Sequence, residues 1–194
     1  AVLLAAQTSA TWAARLKEEA DRSPTAQAEP LAEQSRRRYG EAGRAYLRLA
    51  KLRFATRYYP EDIFSAGENY LAGQELAYAE AAFREYLQIE ARTRRSQAQV
   101  GLAEALLPQG RLDEALVALA ECLETDKIDV ATFRARLLAA QAWLEKGDSA
   151  RAEKLLRENI EGDLLTPASI EWRESLFTLA KALHSERRYS AAIP

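Results

Sequence analysis

The chain has 194 residues, 48% apolar and 29% charged, with 27 basic and 29 acidic side chains and a net charge of −2. That is enough chain to bury a sizeable core, and the near balance of charge removes any global reason to expect nucleic acid or an anionic membrane as partner. One cysteine, Cys122, and one histidine, His184, exclude an intrachain disulfide and any metal or catalytic set that needs several of either.

Nothing alternates with period two over a useful length, so every element is expected to be helical. The first helix is placed near residues 3–21. Its opening, Ala1 to Ala6, reads as the first turns of an N-terminal helix or as the tail of a membrane anchor or signal segment. No apolar run approaches the ~20 residues that span a bilayer. Ser23–Pro24–Thr25 breaks the chain before a long second helix at 26–57. A break is expected in it near Gly40 or Gly43, since interior glycine costs ~1 kcal/mol relative to alanine. Pro60 then stops the chain before Glu61–Asp62 opens the next helix.

Further helices are expected near 61–72, 76–92, 96–107, 112–124, 129–146, 149–160 and 168–186, with another from 189 onward. Gly73, Gly110 and Gly147, spaced 37 and 37 apart, each end an apolar-periodic stretch and are expected as C-terminal caps. Thr166 is expected as the N-cap of the helix at 168, with Pro167 in its first turn. The chain holds no methionine and stops at Pro194, where a helix is due to begin. It is therefore read as a fragment of a longer repeat protein.

A short phrase recurs through these elements. A large or flexible residue is followed three positions later by alanine: Tyr39 and Ala42, Leu76 and Ala79, Leu112 and Ala115, Ser149 and Ala152, Tyr189 and Ala192. The alanines are 37, 36, 37 and 40 apart, and Tyr46, Phe83, Leu119 and Leu156 each follow one by four residues. A period in this range marks stacked supersecondary units. The first helix of each later pair carries an apolar stripe at i, i+3, i+4, i+7. Its third member is small: Gly67, Ala103, Ala140 and Ala180. Small residues there let two helix backbones approach, with large neighbours filling the flanks.

These residues resemble the tetratricopeptide repeat family, whose repeat has a small residue, an aromatic three further on, then an alanine and a large residue four later. Ala66–Gly67 with Tyr70, Ala79 and Phe83 matches this pattern. Leu102–Ala103 with Leu106, Ala115 and Leu119 matches with aliphatics in aromatic places, as does Ala139–Ala140 with Trp143, Ala152 and Leu156. Leu179–Ala180 with Leu183 and Ala192 matches until the chain stops. The resemblance divides the chain into N-terminal helices with a degenerate repeat at 1–60, then three repeats and a truncated fourth at 61–194. The spacing exceeds the family's 34 residues. The family implies an all-α, right-handed superhelical stack of helix-turn-helix hairpins. The run 78–87 also resembles bacterial repeats of this class, including those of envelope-assembly proteins.

In that family the first helix of each pair lines a concave groove. The corresponding positions are Phe64, Glu68, Leu71, Val100, Glu104, Leu107, Leu137, Gln141, Leu144, Phe177, Lys181 and His184. Apolar outer members flank a polar middle member in nearly every triplet, which suits an extended or helical peptide. Two readings of the apolar members stay open: an exposed groove, or a core stripe widened against the next helix. The family's carboxylate-clamp pattern is absent, because Phe64, Glu68, Gly101 and Leu138 stand at clamp positions and Arg134 alone matches. Arg37, Arg44, Arg48 and Lys51 share one face of the second helix, but Glu41 interrupts the row, and a solvated face is expected there rather than a nucleic-acid site. Cys122 is read as a buried apolar residue. No nucleophile–base pair, phosphate loop or metal-ligand spacing occurs. The expected function is non-catalytic: a scaffold, without cofactor, that binds another protein's segment in its groove. The alternative is an assembly module docking within a larger chain or a homo-oligomer. Compartment is not readable between cytoplasm and periplasm.

Overall fold

A computed structural model of the chain describes residues 1–90, 92–124, 129–162 and 164–188. The helices are α1 (Val2–Arg22), α2 (Thr25–Leu52), α3 (Tyr59–Ala72), α4 (Leu76–Ile89), α5 (Arg95–Leu106), α6 (Leu112–Glu124), α7 (Val130–Glu145), α8 (Ser149–Ile160) and α9 (Ile170–Ser185), with a 3-10 turn at Leu107–Gln109. Among the described residues there is no strand. The helix expected from 189, with Tyr189 and Ala192, lies outside them. The chain divides into two compact units, Ala1–Ala105 and Leu106–Pro194.

In the first unit, α1 and α2 pack as a long pair along residues seven apart, all of them small except Leu49. Ala6, Ala13 and Ala20 are buried on α1, and Ser35, Ala42 and Leu49 on α2. The approach is close enough for the Ser35 hydroxyl to donate to the Ala13 carbonyl at 2.7 Å. Helix α2 runs unbroken through Gly40 and Gly43, contrary to the expected break. A Cβ at Gly43 would lie 2.7 Å from the Tyr70 ring, so glycine here makes room for α3. The helix ends at Leu52 rather than 57, and a turn carries the chain into α3, with Pro60 in its first turn.

The alanine phrase marks the packing seams. Ala42, Ala79, Ala115 and Ala152 are all fully buried. Phe83, four residues beyond Ala79, fills a space held open by two glycines. A Cβ on Gly67 would come within 2.9 Å of its ring, and one on Gly101 within 2.5 Å. Phe64 and Tyr86 complete this aromatic core, with centroids 5.9 and 5.1 Å apart in the pairs Phe64–Phe83 and Phe64–Tyr86.

The C-terminal ends of α3, the 3-10 turn, α7 and α9 close in the same way. A residue in the left-handed region stands five positions before the repeat alanine: Gln74 (φ 59°), Gly110 (φ 71°), Gly147 (φ 82°) and Arg187 (φ 60°). The next amide reaches back five residues. Glu75 N donates to Tyr70 O at 2.9 Å, Arg111 N to Leu106 O at 3.3 Å, Asp148 N to Trp143 O at 2.8 Å and Arg188 N to Leu183 O at 2.9 Å. This is the Schellman closure. Gly73 is not the left-handed residue of its joint, since its φ is −77°. Its role is close approach: a Cβ there would lie 2.9 Å from the Gly40 nitrogen and 3.0 Å from the Arg36 carbonyl oxygen.

In the second unit, α6 packs on α7, α7 on α8, α8 on α9, and α9 returns to α7. Leu137, Ala140, Ala152, Leu156, Leu179 and Leu183 form its buried cluster. Asn159, fully buried, donates to the Phe133 carbonyl at 2.9 Å and the Ser175 hydroxyl at 3.1 Å, pinning α7, α8 and α9 in one register. Asp129 caps α7, accepting from Thr132 N at 3.0 Å, and Asp148 caps α8, accepting from Arg151 N at 3.0 Å. Helix α9 begins three residues later than Thr166 as N-cap would place it. Its N-cap is Ser169, whose hydroxyl accepts from Thr166 N at 3.2 Å, so Thr166 and Pro167 belong to the preceding turn.

Candidate functional site

The expected groove positions divide by depth. Phe64, Val100 and Leu137 are buried. Phe64 belongs to the aromatic core, and its outer side is covered by Arg94, whose guanidinium carbon lies 5.0 Å from the ring centroid and which pairs with Glu61 at 3.2 Å. Leu137 belongs to the core cluster of the second unit. In the first unit Glu68 is exposed and Leu71 and Glu104 are half-buried; in the second, Leu107 is half-buried in the 3-10 turn and His184 is exposed on the last turn of α9.

Gln141, Leu144, Phe177 and Lys181 do come together. They line an open cleft of about 790 Å³ between α7 and α9. An ion pair that the sequence reading did not make links the two helices: Arg134 Nη1 donates to Glu174 Oε2 at 2.6 Å. These residues are 40 apart, the spacing of the last two repeat alanines, and that shared interval was the available signal. One turn earlier on each helix stand Val130 and Ile170, both exposed.

Beyond the pair the apolar part of the cleft lining is Leu144, Phe177 and Ala182. Leu144 packs against the core cluster, while Phe177 is 71% exposed. Leucine and phenylalanine at helical spacing ordinarily face inward. Leu137 and Leu179 do so and satisfy the hairpin's packing, which leaves Phe177 over the cleft. Gln141 and Lys181 supply hydrogen-bonding capacity at the next level, and Arg173 lies at the rim. Arg173 is held by the α8–α9 connection, donating to the Ala168 carbonyl at 3.1 Å. Chemically, the cleft offers one aromatic anchor, a secondary apolar contact and charges of both signs, Arg173 and Lys181 with Glu145 and Glu174. Among the described residues no group of three or more His, Cys, Asp or Glu side chains gathers as metal ligands.

No helix among the described residues is long and apolar enough to cross a membrane. Comparison with known proteins finds no match to a family model, to a curated protein or to a solved structure.

Proposed function

We propose that the chain is a non-catalytic binding scaffold of tetratricopeptide type, and that the α7/α9 cleft receives a segment of another protein. The observation that carries this reading is Phe177, 71% exposed on a helix that buries Leu179 and Leu183. A lone exposed apolar residue needs no explanation. One that overhangs an open cleft with Leu144 below and Lys181 beside it has the composition of a peptide anchor site. The segment it suits carries an apolar side chain for Phe177 and a carboxylate for Lys181. Repeated Schellman joints and buried alanines at one period support a continuing right-handed stack of such hairpins.

Panning the whole chain against a displayed peptide library tests this. Enriched peptides are expected to hold an acidic residue near an aliphatic or aromatic one, and to lose at least about ten-fold in affinity for Phe177→Ser, on the scale of an interface anchor. Equal affinity for the variant, with its helical melting unchanged, would place binding elsewhere.

The assembly reading rests on Val130 and Ile170, exposed side chains at the start of the same face. If a second copy covers that face, light scattering will show dimers that increase with concentration and that Ile170→Asp abolishes. A monomer at every concentration would remove this reading.

A further inference from the structure

A second surface lies in the first unit, at the end of α2 and the turn into α3. Leu52 and Phe54 are each 70% exposed, and Tyr58 is exposed beside them. The turn that carries them is built and hydrogen-bonded. Thr56 N donates to Arg53 O at 2.8 Å and Tyr59 N to Thr56 O at 3.2 Å. Phe54 meets Tyr59 edge-on at 5.0 Å, and Tyr59 itself donates to Glu85. The guanidinium carbons of Arg53 and Arg57 lie 5.3 and 5.0 Å from the Tyr58 ring centroid. The apolar side chains are therefore held outward by an ordered scaffold.

The surrounding charge is one-sided. Arg48, Lys51 and Arg57 are exposed and, among the described residues, have no carboxylate partner. Four nearby acids are engaged by other groups: Asp62 faces Arg53 at 3.6 Å, Glu61 pairs with Arg94, Glu75 with Arg44, and Glu85 accepts from Tyr59; Glu68 on α3 is exposed. Cations near a helix C-terminus complement its dipole. The dipole gives no reason for leucine and phenylalanine to stand in water between them.

We propose that the α2–α3 turn is a peripheral membrane-binding element, with Leu52 and Phe54 entering the interface of an anionic lipid surface and Arg48, Lys51 and Arg57 pairing with its headgroups. Exposed apolar residues among cations that have no carboxylate partner are what interfacial binding requires. Helical position puts Arg48, Lys51 and Leu52 on one face at i, i+3, i+4, so they reach a plane together. Nucleic acid would use the cations but would gain nothing from Leu52.

Sedimentation of the whole chain with vesicles tests the proposal. The chain is expected to pellet with phosphatidylcholine vesicles that contain phosphatidylserine, and not with phosphatidylcholine alone. Leu52→Ser should weaken binding by about ten-fold or more, the value of burying one leucine. The pair Arg48→Ser and Lys51→Ser should weaken it about thirty-fold, at roughly 1 kcal/mol per cation near an anionic surface. Leu52 is 70% exposed, so its variant keeps the helical melting transition of the parent. The proposal is overturned if the parent does not pellet, or if Leu52→Ser binds vesicles as the parent does. It is also overturned if a single-stranded oligonucleotide binds more tightly than the vesicles and is insensitive to Leu52→Ser.

Discussion

Gln74 occupies a backbone conformation that its Cβ disfavours, at φ 59°. Gly110 and Gly147 occupy the same position in their joints without that cost. Gln74→Gly should therefore stabilise the chain by ~0.5–1 kcal/mol, and Gly147→Ala should destabilise it by ~1 kcal/mol. At Gly147 an added Cβ meets nothing within 4 Å, so the second effect is conformational alone. Denaturant midpoints measure both, and a stabilised Gly147→Ala would show that the joint is not left-handed. Asp62 makes a second test at this scale. Burial pushes its carboxyl up, Arg53 opposes and Glu61 adds to the rise. One of its oxygens is buried without a hydrogen bond. A raised folded pKa means that stability is fully present below the unfolded value and falls as pH rises toward the folded one. Asp62→Asn removes that penalty. The variant should unfold later than the parent at neutral pH and converge with it in acid; earlier unfolding at neutral pH would mean that the Arg53 pairing outweighs burial.

Helix pairs close over alanine because a methyl group lets two backbones approach while larger neighbours interlock around it. Ala115 is fully buried in such a seam. Ala115→Leu should cost ~1–3 kcal/mol by overpacking, and an unchanged midpoint would show that the seam is elsewhere. Removing the ring that two glycines accommodate should cost more: Phe83→Ala, ~3–5 kcal/mol. The seams were legible in the amino-acid order because alanine, bulky residue and joint recur at one interval. Helices α6 and α8 run over the residues expected for them. Both α1 and α2 were placed, but the packing of α1 was not legible, because its buried Ala6, Ala13 and Ala20 recur every seven residues with no large partner at a constant offset. Gly73 caps α3 as expected, though without a left-handed backbone, whereas Gly40 and Gly43 were misread. Glycine that admits a neighbour is indistinguishable in sequence from glycine that ends or breaks a helix, until the neighbour is placed.

At the scale of the whole molecule, two compact units carry separate surfaces of different chemistry. The first presents Leu52 and Phe54 among cations, and the second presents Phe177 and Lys181 in a cleft. Sequence reasoning placed Gln141 and Leu144 on one helix's ridge and Phe177 and Lys181 on the next one's, and the four do share a cleft. It could not separate them from Phe64, Val100 and Leu137, which sit one step round from the core stripe in the same way but are buried. Which side of the stripe is covered depends on a later element: Arg94 closes over Phe64, and nothing comparable covers Phe177 among the described residues. The most direct measurement is backbone amide chemical-shift mapping of the intact chain on addition of a peptide selected by panning. The account predicts perturbations concentrated on α7 and α9 around Gln141, Phe177 and Lys181. Perturbations confined to the outer faces of α6 and α8, with α7 and α9 unmoved, would contradict it.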